Sequence, residues 1–122
     1  MEANEFLNYK NWIVAGSVLN ETKYAYKILN ALKAKGYNVI GVKPKSEDHK
    51  VYNSVKDVPH KIDVLDLCIN PVLGIYVVKE AVDLGIDKIL IQPGAESDEI
   101  INYCKEKNIS AIKGCALVEL SK

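Results

Sequence analysis

Five short apolar runs, 12–15, 38–42, 64–69, 88–91 and 110–113, alternate along the chain with longer segments whose apolar residues recur at helical spacing. Strand-like runs separated by helical patterns imply βαβ units. The runs are nearly continuous rather than alternating, as expected when both faces of a parallel sheet are covered. Right-handed crossovers then distribute the helices over both faces. The expected fold class is α/β, a doubly wound domain with a mainly parallel five-stranded sheet and the first strand central.

The helical segments carry their own boundaries. Over 23–35, Ala25, Ile28, Leu29 and Leu32 form one apolar stripe, with Thr22 as a candidate N-cap and Gly36 just past the end. Asn70-Pro71 opens a second helix through about Asp83, proline suiting the first turn. Ile75, Val78 and Val82 give its stripe, and Gly85 ends it. Ser97 caps a third, with Ile100, Ile101 and Cys104 on its buried face. Residues 3–9 are expected to form a small leading helix. Val51-Tyr52 is expected to add a short strand, Ser54 to cap a single turn, and Gly114-Cys115 to open a short tail.

The 122 residues fit one domain, 1–122, with no repeat and no Gly/Ser linker. Sixteen basic residues offset sixteen acidic ones, which argues against bulk attraction to nucleic acid or membrane. The acidic start and the lack of a long apolar stretch argue against a signal segment or a membrane span. Cys68, Cys104 and Cys115 form no C-x-x-C pair and no metal-type cluster. Reduced thiols in a cytoplasmic protein are the simplest expectation.

Open α/β sheets bind ligands beyond the carboxyl ends of their strands, so function is sought in the strand-end loops. The first holds Ala15, Gly16, Ser17 and Val18, with Lys23 following. One glycine there lets backbone N–H groups approach a phosphate near a helix N-terminus. The three-glycine dinucleotide fingerprint is absent, so a plain turn is the competing reading. The second strand ends in Lys43, Pro44 and Lys45, where an NAD site would place an acid. Cations there favour a ligand with an extra phosphate near a ribose, as in NADP or coenzyme A; a solvated turn is the alternative. Asn70-Pro71 and Gln92-Pro93-Gly94 end the third and fourth strands. Singly each reads as turn chemistry, and together they suggest a binding rim.

Over residues 11–120 the chain resembles stand-alone CoA-binding domains related to the N-terminal domain of the succinyl-CoA synthetase α subunit. The resemblance rests on the order and spacing of Ala15-Gly16-Ser17 with Lys23, Gly36-Tyr37-x-Val39, Lys43-Pro44-Lys45, Val51-Tyr52-x-Ser54, Asp63-x-x-Asp66, Gln92-x-Gly94 and Cys115. It implies a Rossmann-like fold holding coenzyme A along the strand ends. Ala15 to Val18 would receive phosphate with Lys23 nearby, Lys45 would meet the phosphorylated ribose, and Ile91-Gln92-Pro93 would line the pantetheine side. The glycine lies one place later than the family's usual pattern, and Lys43 and Leu90 stand where asparagine and tryptophan are common.

No catalytic or metal-ligating set emerges. His49 and His60 read as surface histidines, and there is no nucleophile elbow. Asp63 and Asp66, three apart on a strand, are expected on opposite faces, with Asp66 meeting a lysine or a backbone amide. Cys115 is the one reactive candidate, set against the preferred reading of a small buried hydrophobe. Cys68 and Cys104 are expected to be buried and inert. The leading expectation is a non-catalytic module for CoA or acyl-CoA, with an enzymatic role left open. The alternative is an NADP-binding oxidoreductase or redox sensor, and a response-regulator-like module ranks last. Whether the chain forms a homo-oligomer or meets a partner protein stays open.

Overall fold

The computed structural model describes residues 2–122. Each main apolar run becomes a strand: β1 (Asn11–Gly16), β2 (Asn38–Val42), β3 (Val64–Cys68), β4 (Lys88–Ile91) and β5 (Ser110–Lys113). All pair in parallel, in the order β2-β1-β3-β4-β5. This is a doubly wound α/β sheet whose direction of winding reverses between β1 and β3. The first strand is therefore interior but not central. Only β2 is added on one side before the reversal and three strands follow on the other, so β3 takes the middle.

The helices are α1 (Tyr24–Ala34), α2 (Pro71–Asp83), α3 (Asp98–Glu106) and α4 (Ala116–Leu120). The stripe of α1 is buried as its spacing requires. Its cap differs from expectation: Lys23 holds the N-cap position without a side-chain bond, and the Thr22 hydroxyl donates to Asn20 Oδ1 instead. Asn70 caps α2 by accepting from the Leu73 N–H, and Ser97 caps α3 by accepting from the Ile100 N–H. A 3-10 turn spans Ala3–Asn8, and Ser54 caps another at Val55–Asp57. Val51-Tyr52 contributes a single bridge from Tyr52 to Val42. The expected tail after Gly114 is the helix α4.

Two apolar layers sandwich the sheet. Ile13, Ala15, Leu65, Leu67, Ile89 and Ile91 face α2 and α3. Trp12, Val14, Val64 and Leu90 face α1, α4 and the leading 3-10 turn, where Phe6 is buried. This strict alternation fixes register, since a one-residue slip would exchange the faces. Among the described residues no helix is long and apolar enough to cross a membrane.

Candidate functional site

The strand-end loops are held by specific bonds. After β1, the Val18 N–H donates to the Gly16 carbonyl at 2.9 Å. The Val18 side chain is buried beside Gly41, where a Cβ would come within 2.5 Å of it. After β2, the Lys43 N–H donates to the Tyr52 carbonyl at 2.8 Å, and Asn53 Nδ2 donates to the Ser46 carbonyl. These bonds fix where the chain turns at Pro44 and Lys45, the latter at φ 62°.

Beyond the strand ends lies an open cavity of about 450 Å³. Ser17, Lys23 and Lys43 line it from the β1 and β2 loops, and Asn70, Gln92 and Pro93 from the β3 and β4 loops. A second cavity of about 690 Å³ shares Ser17 and Lys43 as walls and continues along Asn20, Thr22 and Ser46. Glu21 and Asp48 also line it, so this outer part is mixed in charge.

Seven of the residues singled out in the sequence, these six and Gly94, thus share one cavity wall. The others sit off it. Ala15, Gly16, Val18 and Ile91 are buried, so they could offer a ligand little beyond backbone groups. Pro44 and Lys45 turn away beyond Lys43, and Pro71 is the first, half-buried residue of α2; none of the three lines either cavity. Tyr24, Cys68, Ile69, Leu73 and Ala95 line the inner cavity without having been singled out for binding. Cys68 carried a usable signal: it is the last residue of β3, at the edge where such sheets bind.

The two side-chain amides are half occupied. Asn70 Oδ1 accepts from Leu73, and Gln92 Oε1 accepts from the Ala116 N–H at 3.1 Å. Each leaves its NH₂ as the group available to a ligand carbonyl. Hydrogen bonds from its own backbone N–H and from the Gly94 N–H, the latter at 2.7 Å to Oε2, hold the Glu96 carboxyl below its usual range.

Asp63 and Asp66 do not act together. Asp63 lies just before β3 and accepts from the side chain and backbone of Asn11. Asp66 is fully buried on the α1/α4 side, and its partner is neither a lysine nor an amide: the Cys68 thiol donates to Asp66 Oδ1 at 3.2 Å. Burial raises the Asp66 carboxyl to about 7, against a smaller lowering by the thiol bond. Burial first, then the Asp66 charge and bond, pushes the Cys68 thiol far up, with neighbouring Cys115 adding to it. Cys68 is half-buried rather than sealed in the core. Cys104 is buried, and burial raises its thiol too.

Residues 10–121 match a family model described as a CoA binding domain. Among solved structures, the chain is similar to a conserved hypothetical protein from Pyrococcus furiosus at 35% identity, covering 91% of this chain and 99% of that one with a TM-score of 0.82. It is also similar to a hypothetical protein from Pyrococcus horikoshii, at 28% identity over 95% of this chain and 84% of that one, TM-score 0.86. A dinucleotide-forming acetyl-coenzyme A synthetase from Candidatus Korarchaeum cryptofilum shares the fold at 18% identity and a TM-score of 0.63. That match covers 95% of this chain and 28% of the synthetase.

Proposed function

This chain belongs to the CoA binding domain family, and from that premise we propose that its strand-end cavity holds coenzyme A or an acyl-CoA as a non-catalytic binding module. The observation that carries the reading is that Ser17 and Lys43 wall both cavities while Asn70 and Gln92 wall the inner one. A ligand with anionic groups at one end and amides at the other matches that order. The diphosphate would meet the Ser17 loop and Lys23, and the 3′-phosphate would lie on the Lys43 side. The pantetheine carbonyls would take the NH₂ groups of Asn70 and Gln92. A cytoplasmic setting accords with the three unpaired cysteines.

NADP carries comparable phosphate chemistry, and calorimetry separates the two. Coenzyme A is expected to bind, dephospho-CoA at least about tenfold more weakly, roughly the worth of one charge-assisted contact. NADPH should bind more weakly than coenzyme A. Tighter binding of NADPH would replace the proposal with the redox reading. Equal binding of coenzyme A and dephospho-CoA would remove the role given to Lys43.

A further inference from the structure

Asp66 is a misfit in its surroundings. It is paired in register with Val14 on β1 and Leu90 on β4, on an otherwise apolar sheet face. A buried carboxyl is costly unless its oxygens are satisfied. Here Oδ1 has one partner, the Cys68 thiol, and Oδ2 has none. A leucine or valine would suit the packing of this face better, so packing does not account for the residue. What Asp66 does have is a direct bond to the thiol of Cys68, the one cysteine among the residues that line the inner cavity.

We propose that Cys68 accepts the acyl group of a CoA thioester bound in this cavity, with Asp66 as the base that takes the thiol proton. The inference rests on the CoA-binding reading and adds a covalent step to it. Cys68 Sγ forms a bond to the acyl carbon, and the bond from that carbon to the CoA sulfur breaks. The proton leaves Cys68 for Asp66 Oδ1 and passes to the departing CoA sulfur. One thioester replaces another, so nothing is oxidised or reduced and no further reactant is needed. The product is a chain carrying one acyl group, together with free coenzyme A.

The dyad has the arrangement this step requires. A thiol with a raised pKa is no nucleophile at rest and needs its proton removed during attack, which is the task of an adjacent base within hydrogen-bond reach. Ile69, Leu73 and Ala95 line the same cavity and suit a short aliphatic acyl group. Cys104, buried on the opposite face of the sheet, and Cys115, at the start of α4, serve as internal comparators.

The test incubates the full chain with acetyl-CoA and, separately, butyryl-CoA, followed by intact and peptide mass spectrometry. Coenzyme A binding is measured on the same protein by calorimetry. One hydroxylamine-labile acyl group on Cys68 is expected. Asp66→Asn should slow its formation about a hundredfold, the usual worth of a positioned base, while coenzyme A still binds. Cys68→Ser and Cys68→Ala should lose the thioester adduct. Binding without an adduct, an adduct on Cys104 or Cys115, or equal labelling of the urea-unfolded chain would overturn the acyl-transfer step and leave the binding reading standing. Absence of coenzyme A binding would instead overturn the binding reading, and this inference with it.

Discussion

A Cβ placed on Gly16 would stand 2.6 Å from the carbonyl oxygen of Cys68, its register partner across β1 and β3. The two strands can close at their carboxyl ends, beneath the cavity, because residue 16 has no side chain. Its φ of +149° adds a conformation that other residues adopt only under strain. Gly16→Ala is expected to destabilise the chain by about 2 kcal/mol or more, combining overpacking with backbone strain. Gly36→Ala, at φ +88° but with nothing within 4 Å of the added Cβ, should cost only about 1 kcal/mol. Urea titrations of the two variants check the difference; equal losses would mean that the β1–β3 contact is not the constraint.

The two lysines flanking Pro44 should behave differently. Lys43 lines both cavities, whereas Lys45 lines neither. Lys43→Gln is expected to weaken coenzyme A about tenfold, corresponding to about 1.4 kcal/mol for a lost charge-assisted bond. Lys45→Gln should change affinity by less than about twofold, as for a charge screened by solvent. The preference for coenzyme A over dephospho-CoA should also shrink in Lys43→Gln and persist in Lys45→Gln. The reverse pattern in calorimetry would move the phosphate site to the turn.

The extent to which the sequence revealed this architecture follows the range of the interactions involved. The strands and the first three helices come from contiguous apolar runs and local caps such as Ser97 and Asn70, so they are readable over a few residues. Helix α4 is not: five residues carry too little periodicity, its N-cap Cys115 makes no side-chain bond, and its first N–H is satisfied by Gln92 from 24 positions away. The site divides in the same way. Ser17, Lys43, Asn70 and Gln92 follow from their places at strand ends. The Cys68–Asp66 bond depends on a shared strand face at the cavity's edge, and the assumption that cysteines on strands are buried hid it.

Gln92 ties the cavity wall to that last helix. Its Oε1 accepts the buried Ala116 N–H, and α4 packs on α1. Gln92→Ala would leave this N–H without a partner, at a cost of about 1–3 kcal/mol. The loss should be concentrated at the carboxyl terminus, so hydrogen exchange over 116–120 should quicken well beyond that of the sheet. Uniform quickening across the chain would show that Gln92 supports the core rather than the docking of α4.

Asp66 should make stability depend on pH in an unusual direction. Its carboxyl titrates near 7 in the folded chain against 3.8 for the ordinary group, so the folded state holds this proton more tightly than the unfolded state does. The contribution is therefore fully present below about pH 4 and declines as pH rises towards 7. Above that both states are ionised and it is exhausted. The full span is on the order of 4 kcal/mol. Cys68, the ionisable side chain in contact with Asp66, is pushed far up by burial and stays a thiol throughout this window. Asp66→Asn keeps the size of the side chain and removes the charge, so it should abolish this decline and be the more stable protein at pH 8. Urea titrations of both proteins at intervals from pH 4.5 to 8 measure the difference. Parallel curves would show that Asp66 is ionised in the folded chain, which would require a cation or ordered water at Oδ2.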